Sequence, residues 1–476
     1  KSTKIKNMKV EQIYTGCLAE AAYYIESKGE SVIIDPLRET KPYLERIEEA
    51  GSKLKYVLET HFHADFVSGH IDLAKKTGAT IVFGPNAEPK YDSYIAKDGE
   101  ELKVGDVTIK VLHTPGHTME STTYLLLDDE GKERGIFTGD TLFIGDVGRP
   151  DLAVKTHLTQ ADLARHLYKS LREKIMVLPD DVVVYPAHGA GSACGKKMSD
   201  ETTDTLGNQK KFNYALREDM SEEEFVQEVT EGLVAPPQYF PKNVMMNKEG
   251  YDSIDNILDK GQVPRTVEQF EELANMEGAL VLDTRDWNVF AQGHIPNSIN
   301  IGLDGSFAPW VGTLVVDLDQ PILFIADEDR IEEVVVRLSR VGYDNTLGYL
   351  EGGIEAWKAS GRELDVLRQV TAEEFAEKYA EGGVNVIDVR RKSEYESEHI
   401  EGAENLPLDF LNERMNEVDK SKEYYIHCKS GYRSMTFAST MQARGFNNLI
   451  DIQGGMEAIE LTKVPRTEFV EPTTML

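Results

Sequence analysis

The stretch Thr60-His61-Phe62-His63-Ala64-Asp65-Phe66 indicates both the fold and the chemistry of the first part of this chain. It comes just after the apolar run Tyr56-Val57-Leu58, which predicts a short β-strand. Two histidines two residues apart at a strand end leave on the same side, so both imidazoles can face one ion, and the Asp65 carboxylate can approach from the next turn. The stretch therefore predicts a metal-binding loop.

Three further strand ends carry residues of the same kinds. They are Leu112-His113-Thr114-Pro115-Gly116-His117-Thr118, Phe137-Thr138-Gly139-Asp140 and Tyr185-Pro186-Ala187-His188-Gly189. A lone His-x-His is more often an ordinary loop sequence, but four such strand ends in one chain favour a common metal centre. Candidate donors at these strand ends include His61, His63, His117 and Asp140.

The order of these strand ends resembles the metallo-β-lactamase superfamily, whose motif reads His-x-His-x-Asp-His. Phe66 stands where that motif has its last histidine. In dinuclear zinc hydrolases of the superfamily, the motif's aspartate and last histidine hold the second ion, and phenylalanine cannot ligate a metal. The resemblance therefore implies a single metal ion in an α/β fold, a two-sheet sandwich flanked by helices.

Composition limits the classes of function. A chain of 476 residues predicts about three domains. With 52 Lys and Arg against 83 Asp and Glu, the net charge of −31 argues against nucleic acid or an anionic membrane surface as a partner. Cys17, Cys194 and Cys428 make a poor disulfide framework, and no apolar run approaches a membrane span. We expect a soluble cytoplasmic protein, and charge of one sign leaves a homo-oligomer open.

Strands alternate with helices from Val10 to about Pro186. The predicted elements are strands at 21–25, 31–35 and 80–83, helices at 42–50 and 69–76, a hairpin at 102–112 turning at Gly105-Asp106, and a helix opened by Thr159 with Leu163, Leu167 and Leu171 on one face. The proline-containing tract Glu231 to Asn256 predicts a loop-rich connection, either a plain linker or a tail that covers the first domain.

The remainder contains an internal repeat. Thr266-Val267-Glu268-Gln269-Phe270 and Thr371-Ala372-Glu373-Glu374-Phe375 match, as do Asp283 with Asp388, Arg285 with Arg390, His294-Ile295 with His399-Ile400, and Gly352-Gly353 with Gly454-Gly455. This predicts two copies of one α/β unit. The strand followed by Asp-x-Arg, the His-Ile segment and the closing Gly-Gly-x-x-Ala resemble rhodanese domains.

The two copies differ at the reactive position. The second has Cys428-Lys429-Ser430-Gly431-Tyr432-Arg433 between a strand and a helix, whereas the first has Ala326-Asp327-Glu328. Backbone N–H groups and the positive end of a helix dipole favour a thiolate, and Lys429 and Arg433 add positive charge. We therefore expect Cys428 to carry a persulfide, with Arg433 assisting and the loop Lys429, Ser430, Gly431 and Tyr432 binding sulfur. The first copy is expected to be a spacer or docking domain.

The single-metal site, the segment Asp146-Val147-Gly148-Arg149-Pro150-Asp151 and the two rhodanese units together resemble persulfide dioxygenase–rhodanese fusions. Two imidazoles and one carboxylate with open positions are also the facial triad of non-haem Fe(II) oxygen chemistry. The resemblance implies that His61, His117 and Asp140 hold one Fe(II), with zinc as the alternative, and that His63 lies beside them.

Several other residues receive provisional roles. His63, Asp65, His113 and His188 are expected to support the ligands by hydrogen bonds, although His63, Asp65 and His188 could themselves ligate. Arg149 is either a surface ion-pair residue or a group that orients the substrate. Cys194 is either a passive loop thiol or a thiol that relays sulfane sulfur, and Cys17 is expected in the core.

These interpretations divide the chain into a dioxygenase domain at 8–245, a linker at 246–262, a rhodanese-like domain without an active-site cysteine at 263–363, and a rhodanese domain with Cys428 at 367–470. The resemblance implies sulfide detoxification: a low-molecular-weight thiol persulfide and O₂ would give sulfite and the free thiol, and sulfite would take sulfur from Cys428 to give thiosulfate. The main alternative is a zinc thioesterase resembling glyoxalase II fused to a rhodanese. A non-catalytic sulfur-carrier scaffold is a further one.

Overall fold

A computed structural model describes residues 1–5 and 7–472. The strands are β1 Ser2–Ile5, β2 Met8–Thr15, β3 Glu20–Ser27, β4 Glu30–Ile34, β5 Lys53–Leu58, β6 Thr80–Phe83, β7 Tyr94–Ile95, β8 Glu101–Val104, β9 Val107–His113, β10 Thr122–Leu127, β11 Glu133–Gly139, β12 Val183–Pro186, β13 Asp204–Thr205, β14 Pro264–Arg265, β15 Leu280–Asp283, β16 Ile299–Asn300, β17 Ile322–Ile325, β18 Thr346–Leu350, β19 Gln369–Val370, β20 Asn385–Asp388, β21 Glu404–Asn405, β22 Tyr424–His427 and β23 Leu449–Ile452.

The helices are α1 Lys41–Ala50, α2 His70–Thr77, α3 Gln160–Ser170, α4 Leu206–Phe212, α5 Glu222–Thr230, α6 Phe240–Glu249, α7 Ile254–Gly261, α8 Val267–Met276, α9 Trp287–Gln292, α10 Phe307–Leu314, α11 Ile331–Ser339, α12 Gly353–Ala359, α13 Ala372–Glu381, α14 Lys392–Ser397, α15 Leu411–Arg414, α16 Tyr432–Ala443 and α17 Gly455–Ile459.

The first compact unit comprises Lys1–Ile254 and contains two facing sheets. One has the order β1 to β7 and the other the order β13-β12-β11-β10-β9-β8. Apolar side chains from both sheets form one core, because alternate residues of each strand point inward. Helix α2 covers the outer face of the first sheet, and α3, α4 and α5 cover that of the second. The expected helix-flanked sandwich is confirmed.

Local sequence signals place the elements that carry the site. Helix α1 ends at Gly51, whose φ of 61° is left-handed, and Gly105-Asp106 turns the β8–β9 hairpin. Thr159 caps α3 through a reciprocal capping box with Asp162. The helix predicted through Leu171 instead changes to a π-helical turn at Leu171–Ile175.

The second compact unit begins at Asp255 and contains two parallel five-stranded sheets of the same topology. Their orders are β14-β18-β17-β15-β16 and β19-β23-β22-β20-β21. In both copies the arginine of the Asp-x-Arg motif forms a two-pronged ion pair with its aspartate, Arg285 with Asp283 and Arg390 with Asp388. The repeated motif thus stabilises the same strand end twice, and the two rhodanese-like domains are confirmed.

The loop-rich connection expected over Glu231 to Asn256 is wrong in part, because α6 lies within it. The linker predicted at 246–262 is likewise not free of structure, because it contains the whole of α7. Pro241 does not prevent α6, since it occupies the first turn, where proline's missing N–H is not needed. The first compact unit extends to Ile254, beyond the predicted boundary at 245.

Among the described residues, the longest apolar helices fall short of what crossing a lipid bilayer requires.

Candidate metal centre and sulfur-transfer site

Three buried side chains from separate strand ends converge in the first unit. Nε2 of His61 and Nε2 of His117 lie 3.5 Å and 3.2 Å from Oδ2 of Asp140. The candidate ligand atoms all lie within 4.8 Å of one another. Asp140 follows β11 directly, and the two histidines follow β5 and β9 after short turns. These are the three residues that the family resemblance implies as ligands, and the fourth candidate, His63, is not among them.

Hydrogen bonds fix which imidazole nitrogen faces the centre. Thr60 donates its hydroxyl hydrogen to Asp35 (2.8 Å), so its oxygen can only accept from Nδ1–H of His61 at 2.9 Å. Nδ1–H of His117 donates to the carbonyl of Arg149 at 2.9 Å. In both rings the Nε2 lone pair is left to face Asp140, which is the arrangement that metal-binding histidines require.

His188 supports the opposite side of the same carboxylate. Its Nδ1 lies 2.7 Å from Asp140 Oδ1 and its Nε2 lies 2.6 Å from Asp65 Oδ2. Burial alone would lower the pKa of His188, but the two carboxylates raise it well above its usual range. Asp65 and His188 are thus hydrogen-bonding partners in this structure, and their supporting role toward a metal stays a prediction.

His63 lies beside His61, with ring centroids 4.3 Å apart, but its Nε2 is directed to a different pair of carboxylates. Its Nε2 lies 3.0 Å from Asp35 Oδ1 and 3.7 Å from Glu59 Oε2, and its ring packs on Phe66 with centroids 4.4 Å apart. Burial opposes ionisation of Asp35, but the charge on His63 lowers the pKa of that carboxyl to about 2. Burial and the His63 charge lower the pKa of His61, which favours the neutral, ligating form.

The donor set fits a single cation. Asp140 Oδ2 is buried and has no hydrogen-bond partner among the described residues. A buried carboxylate oxygen left in this way is stabilised when a cation binds to it. Two imidazole lone pairs face the same point. Two nitrogen donors and one oxygen donor suit Fe(II) or zinc, and three protein ligands leave coordination positions open.

The loop after β11 packs tightly against this centre. A side chain at Gly148 would collide with the carbonyl of Asp140 and approach Nδ1 of His117 to 2.9 Å, so only glycine allows the approach. The Arg149 guanidinium pairs with Asp151 at 2.7 and 2.8 Å and donates to the carbonyls of Ala193 and Val234. Arg149 is therefore a buried ion-pair residue that joins three loops, and its substrate-side role stays a prediction.

Cys194 is buried beside the centre. Its Sγ belongs to a group with Asp65 and His188 whose donor atoms lie within 4.8 Å of one another. Burial, and then the Asp65 and Asp140 carboxylates, raise the pKa of the thiol well above its usual range. The two remaining expectations are corrected: His113 bonds to the carbonyl of Met119 (2.9 Å), and Cys17 is only half-buried.

Sequence reasoning missed residues that hold the motif in place. Asp35 follows β4 and has a positive φ of 51°. Its carboxylate accepts hydrogen bonds from the backbone N–H and the hydroxyl of Thr60. A carboxylate directly after an apolar strand is the sequence signal that could have identified Asp35. Asn247 on α6 donates to the carbonyls of His63 and Phe66, both at 2.9 Å, and nothing in the local sequence marks it.

Cys428 lies at the start of the predicted loop between β22 and α16 and is 1% exposed. The amide of Gly431 donates to its Sγ at 3.1 Å. Arg433 forms a two-pronged ion pair with Glu394 at 2.7 and 3.0 Å, so its charge is shared with a carboxylate. Lys429 is exposed and Ser430 half-buried.

The first rhodanese copy contacts this loop within the second unit. The Tyr432 hydroxyl donates to the carbonyl of Gly302 at 2.6 Å, and the Trp287 ring packs against Tyr432 with centroids 6.0 Å apart. Trp287 also closes the space beside Gly431. The copy that has Ala326 in place of a cysteine thus supports the loop of the copy that has one.

Comparison with known families agrees with this division. Residues 15–188 match the metallo-beta-lactamase superfamily, and residues 266–360 and 371–462 each match the rhodanese-like domain.

The similar proteins include a persulfide dioxygenase and a probable hydroxyacylglutathione hydrolase. The human mitochondrial persulfide dioxygenase ETHE1 is 36% identical over 161 residues, which span 33% of this chain and only 59% of that protein. A probable hydroxyacylglutathione hydrolase, glo2 of Schizosaccharomyces pombe, is 32% identical over 208 residues, spanning 38% of this chain and 76% of that protein.

A solved structure matches a larger share of the chain. The metallo-beta-lactamase of Staphylococcus aureus is 34% identical, with a TM-score of 0.65, over 72% of this chain and 99% of that one. The chain therefore belongs to the metallo-β-lactamase superfamily and joins a domain of that fold, with persulfide dioxygenase homologues, to two rhodanese-like domains.

Proposed function

We propose that this protein, with Fe(II) bound, uses O₂ and water to oxidise the outer sulfur of a low-molecular-weight thiol persulfide to sulfite and releases the thiol. We also propose that Cys428 transfers sulfane sulfur to sulfite to give thiosulfate. The observation that carries the first activity is the convergence of His61 and His117 on the unpartnered oxygen of Asp140, with Phe66 at the motif's last position. This set provides ligands for one ion and open positions for substrates.

Fe(II) bound there would supply the electron-transfer and O₂ chemistry that protein side chains lack. The chain's own residues supply orientation. Thr60 and the Arg149 carbonyl hold the two imidazoles with Nε2 inward, and His188 holds Asp140. The buried surroundings exclude bulk water, which strengthens these interactions.

The second activity follows from the chemistry of the first. Sulfite, the proposed product of the metal site, is a sulfur nucleophile that can attack the outer sulfur of a persulfide on Cys428. The S–S bond then breaks, thiosulfate leaves, and the electron pair stays on the Cys428 sulfur. The Gly431 amide, 3.1 Å from Sγ, is positioned to stabilise negative charge there.

The test is metal analysis of anaerobically purified protein, paired with oxygen uptake on adding glutathione persulfide. We expect about one iron per chain, as three protein ligands with open positions imply, and O₂ uptake that depends on the persulfide. His61→Ala should lose both the iron and the uptake, whereas Cys428→Ser should keep both and lose thiosulfate formation.

The rival activity is hydrolysis of a glutathione thioester with zinc, which the similarity to the S. pombe protein favours. It predicts zinc in the purified protein, no oxygen uptake after Fe(II) reconstitution, and thioester hydrolysis. Phe66 counts against it, because a hydroxide bridging two ions needs the second-ion ligand that this position lacks. Neither metal nor sulfur transfer would instead indicate a carrier scaffold.

A further inference from the structure

A buried hydroxyl and a buried carboxylate continue in line behind the Cys428 thiol. Sγ of Cys428 lies 3.6 Å from Oγ of Ser434, and that hydroxyl lies 2.7 Å from Oδ1 of Asp451. Ser434 and Asp451 are both fully buried, at 0% exposure. Ser434 comes from the first turns of α16 and Asp451 from β23, so two elements bring the groups together.

Among the described residues, the partners of the Asp451 carboxylate are neutral. Its other oxygen accepts from the neutral amide of Gln369 at 3.0 Å. Burial raises its pKa to about 6, although the bonds from Gln369 and Ser434 act in the opposite direction. Such a group exchanges a proton near neutral pH, which is the property of an effective acid and base.

The charged groups on the neighbouring elements are engaged elsewhere. On β22, His427 bonds to the carbonyl of Cys428 and lies 3.7 Å from Asp388. On α16, Arg433 pairs with Glu394, and next to β19, Arg368 pairs with Glu423 at 2.8 Å. Of the groups around the thiol, Asp451 is thus the one connected to it through a hydroxyl.

The first rhodanese copy lacks all three groups. The strand register shows which residues of the two copies are equivalent. Ile325 pairs with Asp283 as His427 pairs with Asp388. The next residue, Ala326, therefore stands in the place of Cys428. In the same way, Tyr349 pairs with Phe324 as Asp451 pairs with Ile426, so Tyr349 stands in the place of Asp451.

The sixth residue after Ala326 is Glu332, in the place of Ser434. The hydroxyl and the carboxylate are therefore present only in the copy that has the thiol, which indicates that they serve the thiol rather than the fold.

We propose that Ser434 and Asp451 form a proton relay for Cys428, in which Asp451 is a positioning residue that acts through Ser434. This inference rests on the proposed sulfur-transfer function of Cys428. It assigns the buried carboxylate a role in both halves of that reaction.

In the loading half, the Cys428 sulfur attacks the outer sulfur of a thiol persulfide, and the departing thiolate keeps the electron pair of the broken S–S bond. The Cys428 proton passes to Ser434 Oγ while the Ser434 proton passes to Asp451 Oδ1. In the unloading half, sulfite attacks the outer sulfur and the Cys428 sulfur departs with its electron pair. The proton then returns from Asp451 through Ser434, and the outer sulfur's proton goes to solvent.

The two halves require opposite protonation states of one group. Loading needs ionised Asp451, so its rate should rise with pH through about 6. Unloading needs protonated Asp451, so its rate should fall through the same range. A merely structural role for Asp451 would not produce opposite slopes.

The experiment measures the two halves separately on the full chain without oxygen, so that persulfide oxidation is silent. Glutathione persulfide loads the protein and sulfite unloads it, and mass spectrometry of the Cys428 peptide follows both between pH 5 and 8. Each wild-type rate is divided by the rate of Asp451→Asn at the same pH, which cancels the ionisation of the reagents.

We expect the loading ratio to climb from near one to about a hundred as pH rises, and the unloading ratio to fall correspondingly, the usual size of acid–base catalysis. Ser434→Ala should lose the pH dependence of both ratios, as Asp451→Asn does. Ser434→Thr, which keeps a hydroxyl, should retain most of it. Thr440→Val is the matched control, because this buried hydroxyl on the same helix donates to the carbonyl of Thr436 (2.7 Å), which is remote from the thiol in the hydrogen-bond pattern of the described residues.

Iodoacetamide labelling of Cys428 checks that the loop remains intact in each variant. Ratios that do not change with pH, or that slope in the same direction, overturn the relay while leaving sulfur transfer in place. If wild type forms no Cys428 persulfide, or if Cys428→Ser still makes thiosulfate, the sulfur-transfer function itself fails and the relay with it.

Discussion

Oδ1 of Asp140 lies 2.7 Å from Nδ1 of His188, and this contact determines what the rest of the carboxylate can do. It fixes the rotation of the group, so that Oδ2 points toward His61 and His117. Burial opposes ionisation, but the three histidines hold the pKa of Asp140 well below its usual range. The carboxylate is therefore ionised and aimed before any cation arrives.

Replacing His188 with alanine should weaken metal binding by about 10- to 100-fold, the usual effect of losing a residue that supports a ligand. The change removes the partner of both Asp140 and Asp65. Competition with a chelator measures the affinity. His113→Ala, which loses only a bond to the Met119 carbonyl, should bind metal like wild type, and equal affinity in both variants would contradict the expectation.

Phe66→His should raise metal content from about one to about two ions per chain, since it adds an imidazole next to Asp65, at the motif position that holds the second ion in dinuclear relatives. Phe66 is fully buried against His63, so the polar ring is expected to lower the free energy of unfolding by about 1–3 kcal/mol. Elemental analysis of the folded variant is the measurement. Phe66→Leu is the control for loss of the aromatic ring. If Phe66→His has the same metal content as wild type, then Phe66 alone does not explain why the chain lacks a second metal site.

Cys194→Ser should slow persulfide-dependent oxygen uptake while leaving iron content unchanged, if the thiol relays sulfane sulfur. Serine preserves the size of this buried side chain but cannot carry a persulfide. Uptake kinetics and iron analysis are measured on the same preparation. Unchanged turnover would make Cys194 a passive thiol, consistent with the high pKa that its burial gives it.

Gly431→Ala should abolish sulfur loading on Cys428 and leave oxygen uptake intact. The added Cβ would collide with the Trp287 indole, and the φ of 128° is unfavourable for alanine. The displaced loop would move the amide that donates to Cys428 Sγ. Gly445→Ala is the matched control: its φ is 92°, but the nearest atom to a Cβ is the flexible Lys420 Nζ at 3.6 Å. Equal loading in both variants would refute the expectation.

Asp451→Asn should stabilise the second rhodanese copy more at pH 8 than at pH 5. The folded-state pKa of about 6 exceeds that of an unfolded aspartate, so the favourable contribution of the protonated group is lost as pH rises through 6. The difference should be about 1–2 kcal/mol. Hydrogen exchange of β22 and β23, compared between the two proteins at each pH, measures it. A difference of the opposite sign would show that Asp451 is ionised with a favourable partner.

The sequence was sufficient to predict those features that depend on local patterns. A strand followed by His, Asp or Cys places a functional group at a sheet edge, which is why His61, His117, Asp140 and Cys428 could be found. The capping residue Thr159 and the turn glycine Gly51 are local signals of the same kind. Repeat spacing was sufficient to identify two similar units.

Long-range contacts could not be predicted in this way. Asp451 meets Ser434 across 17 residues, and Asn247 reaches His63 across 184. The pairing of these groups depends on how helices and sheets pack, and no periodicity records it. The proline-rich composition before α6 even suggested the wrong local structure, because proline is compatible with a first helical turn.

The amide of Asn247 has a practical consequence for anyone preparing the metal-binding part alone. Its Oδ1 accepts a hydrogen bond from the backbone N–H of Ser68 at 2.8 Å, and the Tyr251 hydroxyl donates to the backbone carbonyl of Ser68 at 2.5 Å. A fragment ending at residue 188, where the family match stops, would strand these buried backbone groups and expose the histidine loop. The smallest fragment that keeps the loop in its metal-ready form must extend past Tyr251.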